Sequence, residues 1–476
     1  LYTINNINLS ILLFNRPYIT LLLIDAGTGE QMTNAEALSK SVQLARCLRN
    51  CNMRPGDVLA LSGTNHILLN IPFNAALFNG YPISAIDPQF KYNEIKSLLK
   101  ITQPKIVFCM PEAYENYSKA VQALDLNTRI VTYGKGDATL PSFIKEFDDN
   151  QPDSEFKIAE FDLDKVYAYL TCTSGTTGRL KVAAIKHKEM LYKIMAYIKH
   201  SLHRFLSPVS WTSAYYSAVS IPYANDCQVM TSRPADVDHV IEMINKYRPK
   251  TTTLGPAMVV DLLSRAEEVD LTSFTFVVVA GSRCNPDLIP KLKNLIVYFY
   301  FYLQLVDPDT EVEIKEPNVP GELWCKGICF SEYYNDPEET AKCKTSDGWV
   351  KTGDLLYRDE RGCYFYVDRM KHLIKYRNYQ VSEMIEDVIR ELPAVHDVCV
   401  VGVDSAADGQ LPTACVVVED GARVTAQEIK ELVASKLSNA KHLRGGVLFL
   451  NEFPLTSSGK IRKNLLTKIA MESKRD

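Results

Sequence analysis

Apolar and polar residues alternate along the first two thirds of the chain with two different periods. One segment, NAEALSKSVQLARCLRNC, carries apolar residues at helical spacing, whereas DVLALSG, KIVFCM and RIVTYG are short apolar runs that end in turn residues. Runs of the second kind are typical of buried parallel strands. The same alternation returns in VIEMINKY, KTTTLG and TFVVVAG. Repeated strands and helices of this kind predict a layered α/β domain with parallel sheets.

The pattern changes after residue 354. The segment DERGCYFYVDR predicts a β-hairpin with its turn near Gly362. Beyond it, helix-like and strand-like segments follow in the order VSEMIEDVIREL, HDVCVVGV, LPTACVVVED, TAQEIKELVASKL and GGVLFLNEF. These segments predict a compact α+β module of about 100 residues, a common domain size. We therefore expect two domains, residues 1–368 and residues 369–476, with a boundary near Arg369.

Composition and charge exclude several classes of function. The 476 residues carry a net charge of -4, so no general attraction to nucleic acid or to an anionic membrane is expected. The 12 cysteines include no C-x-x-C pair and no zinc-type spacing, which predicts reduced thiols. The longest uncharged apolar run, LIVYFYFYLQLV, is shorter than the roughly 20 residues that a membrane span needs. Because the chain begins at Leu1, we expect an incomplete N-terminus.

A Gly/Thr-rich segment in the middle of the chain carries the first candidate chemistry. The sequence TSGTTGRLK follows the predicted strand KVYAYLTC and precedes the predicted helix KHKEMLYKIMAYIKHSL. Small residues let backbone N–H groups approach an anion, hydroxyl groups donate to it, and Lys181 neutralises it. The segment is not a Walker A loop, because only two residues separate Gly175 from Gly178. Taken alone, it fits both a phosphate-binding loop and a plain glycine-rich turn.

Three other polar segments contain candidate partners for a nucleotide. The sequence GWVKTGD places Asp354 after a predicted tight turn, where a carboxylate can accept hydrogen bonds from ribose hydroxyls. The sequence DRMKHLIKYRNYQV brings Arg369, Lys371 and Lys375 close together, and PLTSSGKIRKNLL holds Lys460 in a second Ser/Gly-rich loop. Each segment by itself is also consistent with a solvent-exposed turn.

Taken together and in order, these segments, with GELWCKG and LRGGV, resemble the adenylate-forming superfamily of acyl- and aryl-coenzyme A ligases. The resemblance covers roughly residues 20 to 470 and is nearest to the luciferase-like insect branch. It implies a large layered α/β N-terminal domain with parallel sheets and a small mobile C-terminal α+β lid. It also implies ATP, Mg²⁺ and coenzyme A: a carboxylic acid forms an acyl-AMP, which the thiol of coenzyme A then attacks.

The resemblance assigns roles to individual residues by motif. It implies that Lys460 is catalytic in adenylation, that Lys375 is catalytic in thioester formation, and that Lys371 is the hinge. Trp211 and Gly281 belong to a possible acyl pocket. The implied nucleotide-binding residues are Thr173, Ser174, Gly175, Thr176, Thr177, Gly178, Lys181, Asp354 and Arg369.

Two further positions leave alternatives open. His187 falls at a family position, but a histidine at the start of a helix also faces solvent or caps a turn in many proteins. Tyr215 and Tyr216 follow Trp211 in the acid-binding region, where aromatic side chains either line an apolar pocket or belong to the core.

One part of the family pattern is missing. The interval from Gly281 to Gly321 is shorter than the resemblance implies, and it lacks the adenine-contacting motif and the glutamate expected near Mg²⁺, so no metal-ligating residue is identifiable. A single missing preorganised donor lowers a rate by about 10²–10³-fold. The chain is therefore either an incompletely assembled version of a working ligase or a non-catalytic pseudoenzyme of the same fold. A luciferase-like monooxygenase is a third possibility.

The implied partners are a small-molecule carboxylic acid, ATP and coenzyme A. No nucleic acid, membrane span or protein partner is expected. The resemblance suggests a peroxisomal or a cytoplasmic protein, although the sequence given ends in ESKRD and not in the peroxisomal S-K-L signal.

Overall fold

The structure is a computed structural model. It describes residues 21–134, 137–174, 180–191, 210–211, 214–219, 226–279, 301–327, 330–369, 374–377, 379–381, 384–419, 421–454, 461 and 463–476.

Strands and helices alternate in the large N-terminal region, as the sequence predicts. Its strands are β1 (Leu21–Asp25), β2 (Gln31–Thr33), β3 (Leu59–Ser62), β4 (Ile83–Ile86), β5 (Ile106–Cys109), β6 (Arg129–Thr132), β7 (Tyr167–Ser174), β8 (Leu180–Lys186), β9 (Gln228–Met230), β10 (Thr251–Leu254), β11 (Phe276–Val279), β12 (Phe301–Val306), β13 (Glu313–Ile314), β14 (Gly321–Gly327), β15 (Glu332–Tyr333), β16 (Trp349–Arg358) and β17 (Tyr364–Arg369). Its helices are α1 (Asn34–Asn50), α2 (Asn70–Asn79), α3 (Tyr92–Thr102), α4 (Tyr114–Ala123), α5 (Leu140–Phe147), α6 (Val237–Tyr247), α7 (Pro256–Ser264) and α8 (Pro337–Cys343).

A seven-stranded sheet in the order β15-β8-β7-β4-β3-β5-β6 forms the centre of this region. The five strands from β7 to β6 run parallel, and β8 and β15 are antiparallel additions at one edge. Leu59 and Leu61 of β3 belong to one buried apolar cluster and Ala60 belongs to another. Because successive side chains of a strand point to opposite faces, both faces of the sheet are covered. The predicted buried parallel strands are confirmed.

Three further sheets complete the large region. They have the orders β2-β1-β9, β10-β11 and β13-β12-β14-β16-β17. The predicted hairpin is β16–β17, in which Asp359 donates its N–H to the carbonyl of Cys363 at 2.9 Å. Gly362 adopts φ 82°, a left-handed conformation that suits glycine at this turn.

The C-terminal region forms a separate α+β layer. Its strands are β18 (Ile374–Tyr376), β19 (Tyr379–Val381), β20 (Val395–Ser405), β21 (Gly409–Val418) and β22 (Val447–Phe449), and its helices are α9 (Met384–Ile389), α10 (Ala426–Lys436) and α11 (Lys463–Glu472). The sheet has the order β19-β18-β21-β20, with β22 paired to β21. The predicted fold class is thus confirmed. The domain boundary near Arg369 stays a prediction: β17 ends at Arg369, and the next described strand begins at Ile374.

The two regions contact each other within the described part of the chain. Strand β19 approaches β7 with Cα–Cα distances within 8 Å. At the start of α3, the Glu94 carboxylate accepts hydrogen bonds from Ser438 of the C-terminal region. None of the helices described combines the length and the apolar character that crossing a membrane requires.

Candidate active site

The Gly/Thr-rich segment connects two antiparallel strands. The Cα positions of Thr173 and Lys181 are paired across β7 and β8, and so are those of Ser174 and Leu180. Strand β8 was not predicted from the sequence. The segment leads into this strand and not directly into the predicted helix, whose described part is residues 187–191. Strand β8 forms because Val182 to Ile185 are buried between β7 and β15.

Part of the predicted nucleotide set lies outside the described residues: Gly175, Thr176, Thr177 and Gly178. The described ends of the segment, Thr173 and Lys181, lie opposite each other where the hairpin closes. The segment therefore connects two paired strands of the central sheet, and Lys181 lies at the start of the second of these strands.

The Lys181 side chain is buried and already has a protein counter-ion. Its Nζ donates to Oε2 of Glu339 and lies 5.3 Å from the centroid of the Tyr333 ring. Glu339 also accepts a hydrogen bond from Lys342 at 2.7 Å. Hydrogen bonds from Lys181 and then from Lys342 lower the pKa of Glu339 to about 2. Sequence analysis did not single out Glu339, although it contacts a residue of the predicted site.

Strand pairing carries Glu339 to Lys181. Tyr333 of β15 pairs with Ala183 of β8, and its N–H donates to Oγ1 of Thr340 at 2.9 Å. The Asp336 side chain caps α8 by accepting the N–H of Glu339 at 3.0 Å. The first turn of α8 is thereby fixed beside β8, with the Glu339 carboxylate against the Lys181 ammonium.

The two candidate ribose-binding residues lie on adjacent strands. The Cα of Asp354 in β16 pairs with that of Arg369 in β17. The expectation that Asp354 follows a tight turn is wrong, because residues 349–358 form one strand. Gly353 accounts for the turn-like sequence: it adopts φ 72° inside the strand, and its N–H donates to Oε1 of Glu322 at 2.9 Å.

The hairpin β18–β19 carries Lys375, the candidate for the second half-reaction. Lys375 pairs with Gln380, and its N–H donates to Oε1 of Gln410 at 3.3 Å. Since β19 approaches β7, this hairpin lies beside the strand that leads into the Gly/Thr-rich segment. Lys371 and Lys460 lie outside the described residues.

The candidate acyl-pocket residues differ in their surroundings. Trp211 is half-buried, and Gly281 lies outside the described residues. Tyr215 is fully buried, with its ring 4.9 Å from that of Phe73 and 4.8 Å from that of Tyr169. These contacts identify Tyr215 as a core residue, which was one of the two alternatives for the aromatic residues of this segment.

His187 is a buried histidine, so the alternative in which it faces solvent is wrong. Its ring packs 4.8 Å from the ring of Phe161. Neither ring nitrogen has a hydrogen-bond partner among the described residues, so the side chain does not cap a turn. Burial lowers the pKa of His187 to about 3.

No metal centre is visible in the described part of the chain, which contains no cluster of three or more His, Cys, Asp or Glu side chains. The short interval after Gly281, where the resemblance expects the Mg²⁺-associated glutamate, falls largely within residues 280–300, which the structure does not describe.

Comparison with known proteins identifies the family of the chain. The sequence model of a family described as AMP-binding enzyme matches residues 15–300, and that of the AMP-binding enzyme C-terminal domain matches residues 384–460. Luciferin 4-monooxygenase of Photuris pensylvanica is 27% identical over an alignment that covers 94% of this chain and 91% of that protein. Peroxisomal OPC-8:0-CoA ligase 1 of Arabidopsis thaliana is 26% identical over an alignment that covers 94% of this chain and 90% of that protein. The solved structure of the amide bond synthetase McbA from Marinactinospora thermotolerans superposes with a TM-score of 0.85 at 21% identity and covers 97% of this chain and 99% of that one.

Proposed function

Because this chain belongs to the AMP-binding enzyme family, the adenylate-forming superfamily with luciferase-like relatives, we propose that it is an acyl- or aryl-CoA ligase. It activates a carboxylic acid with ATP as an acyl-AMP and transfers the acyl group to coenzyme A. The observation that carries the proposal is the meeting of two hairpins: β7–β8, which holds the Gly/Thr-rich segment and Lys181, and β18–β19, which holds Lys375.

The first half-reaction brings an anion to an anion. A carboxylate oxygen attacks the α-phosphorus, the bond to the β-phosphate oxygen breaks, and pyrophosphate leaves. Preorganised cations and N–H groups lower such a barrier. In our proposal Thr173, Ser174 and the segment after them bind the β- and γ-phosphates with Lys181, and Lys460 bridges the carboxylate and the α-phosphate.

The ribose and the acyl group bind on either side of this centre. Asp354 accepts the ribose hydroxyls, and Arg369, paired with it on the adjacent strand, assists. Trp211 and Gly281 border the acyl group. ATP enters with Mg²⁺, which in this family's reaction offsets phosphate charge.

The second half-reaction uses the other hairpin. The thiol sulfur of coenzyme A attacks the acyl carbonyl carbon, the bond to the phosphate oxygen breaks, and AMP leaves. Lys375 assists this step, after a domain rotation about Lys371. The approach of β19 to β7 supports this assignment, because it places the Lys375 hairpin next to the hairpin of the first step.

The compartment and the nature of the acid belong to the same proposal. The protein acts in the peroxisome or the cytoplasm, and the peroxisomal CoA ligase among its relatives supports the first of these. Its acid is a fatty or an aryl acid, as the names of several CoA ligase relatives suggest.

Acid-dependent ATP–pyrophosphate exchange by the purified full chain tests the proposal. Fatty and cinnamic-type acids are screened, and products formed with coenzyme A are identified by mass spectrometry. Exchange followed by a thioester supports the ligase. Exchange with an amide formed from added amines, or with light emission in oxygen, assigns a different second step. ATP binding without exchange for any acid identifies a non-catalytic protein.

A variant separates the two half-reactions. We expect Lys460→Ala to lower exchange by about 10²–10³-fold while thioester formation from preformed acyl-AMP is retained. Lys468→Ala, an exposed lysine on α11, is the matched control and leaves both steps unchanged. Equal loss of both steps in Lys460→Ala contradicts the assigned role.

A further inference from the structure

Lys181 already binds a carboxylate at the place where the proposed function requires it to bind phosphate. We propose that Glu339 is a positioning residue that holds the Lys181 ammonium while no nucleotide is bound and yields it to the incoming triphosphate, with Lys342 remaining as the counter-ion of Glu339. The identification of the triphosphate as that of ATP rests on the proposed function; the exchange of partners does not.

The first support is an alternating cluster of four charges. Lys181 contacts Oε2 of Glu339, while Lys342 contacts Oε1 of Glu339 at 2.7 Å and Oε1 of Glu338 at 2.9 Å. One carboxylate therefore joins two ammonium groups. Lys181 is at the buried end of this cluster with a side chain 8% exposed, and Glu338 is at the open end with a side chain 82% exposed.

The second support is what remains when Lys181 leaves. A carboxylate that loses its only counter-ion in a buried place is strongly disfavoured. Glu339 is not left in that state, because Lys342 and the N-terminal turn of α8 stay beside it. Departure of Lys181 therefore exposes no unpaired charge on the protein.

The third support is the position of Lys181 relative to the loop. Its Cα is paired with that of Thr173 where the β7–β8 hairpin closes, so the ammonium sits on a flexible four-carbon stem at the first positions of the strand that leaves the loop. A triphosphate carries several negative charges and Glu339 carries one, so the triphosphate is the stronger partner for one ammonium. Glu339 then acts as a competitor that an anion of lower charge does not displace.

Binding of inorganic tripolyphosphate, followed by calorimetry, tests the exchange without any acid, adenine or turnover. Glu339→Gln keeps the shape of the side chain and removes the competing charge, so we expect tripolyphosphate to bind roughly three- to tenfold more tightly. In Lys342→Met, Glu339 has no lysine counter-ion once Lys181 leaves, so we expect tripolyphosphate to bind more weakly by a similar factor. The matched control Glu338→Gln, on the same helix and without contact to Lys181, stays within twofold of wild type.

Steady-state kinetics separate an effect on ATP binding from an effect on catalysis. In exchange assays Glu339→Gln lowers the KM for ATP while kcat stays within about twofold, and Glu339→Asp, which retains the charge, restores a value near that of wild type. Unchanged or weaker tripolyphosphate binding in Glu339→Gln overturns the proposal, as does Lys181→Met binding tripolyphosphate as well as wild type. If Glu339→Gln does not fold, tighter or unchanged tripolyphosphate binding in Lys342→Met is by itself enough to overturn the proposal. A wild-type protein that binds tripolyphosphate but shows no exchange refutes the ligase function and leaves this test intact.

Discussion

Two buried lysine–glutamate pairs differ in the other groups that donate hydrogen bonds to the carboxylate. In the first pair, Lys181 and Glu339, the second donor is another flexible lysine, Lys342. In the second pair, Lys441 and Glu94, the carboxylate is fully buried. It also accepts hydrogen bonds from the Oγ–H of Ser438 at 2.9 Å and from the N–H of Ser438 at 3.0 Å.

Burial alone therefore does not decide whether an ion pair is fixed or exchangeable. Glu94 also accepts the N–H of Lys91 at 3.0 Å, so backbone donors of α3 and of the C-terminal region fix its position. Removing any donor leaves a buried charge incompletely paired, which is unfavourable. Glu339 is shared between the ammonium groups of Lys181 and Lys342, so it keeps one counter-ion when the other leaves. The Glu94 pair is therefore an anchor between the two regions, and the Glu339 pair is exchangeable.

The largest effect is expected at the anchor. Glu94→Ala leaves Lys441 without its carboxylate and the Ser438 N–H without an acceptor, so we expect the free energy of unfolding to fall by about 3–5 kcal/mol. Urea unfolding at pH 7 measures it. Glu115→Ala removes an exposed carboxylate from α4 and is expected to leave the urea midpoint unchanged. A urea midpoint for Glu94→Ala close to that of Glu115→Ala would contradict the role of the Glu94 pair as an anchor.

The exchangeable pair is expected to matter less for folding. Glu339→Gln leaves Lys181 near the Tyr333 ring, and the Glu339 side chain is 18% exposed whereas that of Glu94 is 0% exposed. We therefore expect a loss in unfolding free energy of about 2–3 kcal/mol, below the range for an enclosed pair. The same urea series measures it, and Lys181→Met with the double variant gives the coupling between the two side chains. A loss equal to that of Glu94→Ala would show that Glu339 is an anchor as well.

The sequence predicts the elements of this fold better than its charge pairs. Apolar periodicity reports which residues are buried, and so it predicted β3, β5, β6 and the C-terminal module. Strand β8 was missed because VAAI is short and follows a loop motif that dominates the segment. Glu339 was missed because its partner Lys181 is 158 positions away in sequence and is reached only through β15–β8 pairing. No local pattern carries that information.

The same limit applies to individual site residues. A lysine after a Gly/Thr-rich segment predicts an ammonium that binds phosphate, and this role stays a prediction. The structure adds what the sequence did not predict, which is that Lys181 has a carboxylate counter-ion, Glu339. The turn-like GWVKTGD hid a strand, because Gly353 adopts a left-handed conformation within it. For His187 the sequence left open a family position and a helix start that faces solvent or caps a turn. The structure buries it, since the helix begins at the end of a strand of the central sheet.

His187 is a third kind of buried titratable group, because neither ring nitrogen has a hydrogen-bond partner among the described residues. Its pKa is lowered to about 3, whereas an unfolded histidine titrates at about 6.5. Between these values the unfolded state binds a proton that the folded state does not, so stability falls as pH falls below about 6.5 and is flat above it.

We expect His187→Phe to remove this dependence. Relative to pH 6.5, wild type loses about 2 kcal/mol more than the variant at pH 5, because each pH unit below the unfolded pKa contributes about 1.4 kcal/mol. Urea unfolding at several pH values measures the slope. Lys468→Ala, in which an exposed lysine of α11 is replaced, is the control and keeps the wild-type slope. Parallel slopes for wild type and His187→Phe would mean that His187 is protonated or paired in the folded protein.

The smallest effect is expected at the open end of the charge cluster. Glu338 forms an ion pair with the exposed Lys342, and solvent screens a pair of this kind. Glu338→Gln should therefore leave both the urea midpoint and the KM for ATP within error of wild type. This variant shows whether Glu338 also influences the competition between Glu339 and the phosphate for Lys181. If it shifts the KM for ATP as much as Glu339→Gln does, the phosphate competes with the whole cluster of four charges. If it does not, the competition is confined to the one carboxylate that touches Lys181.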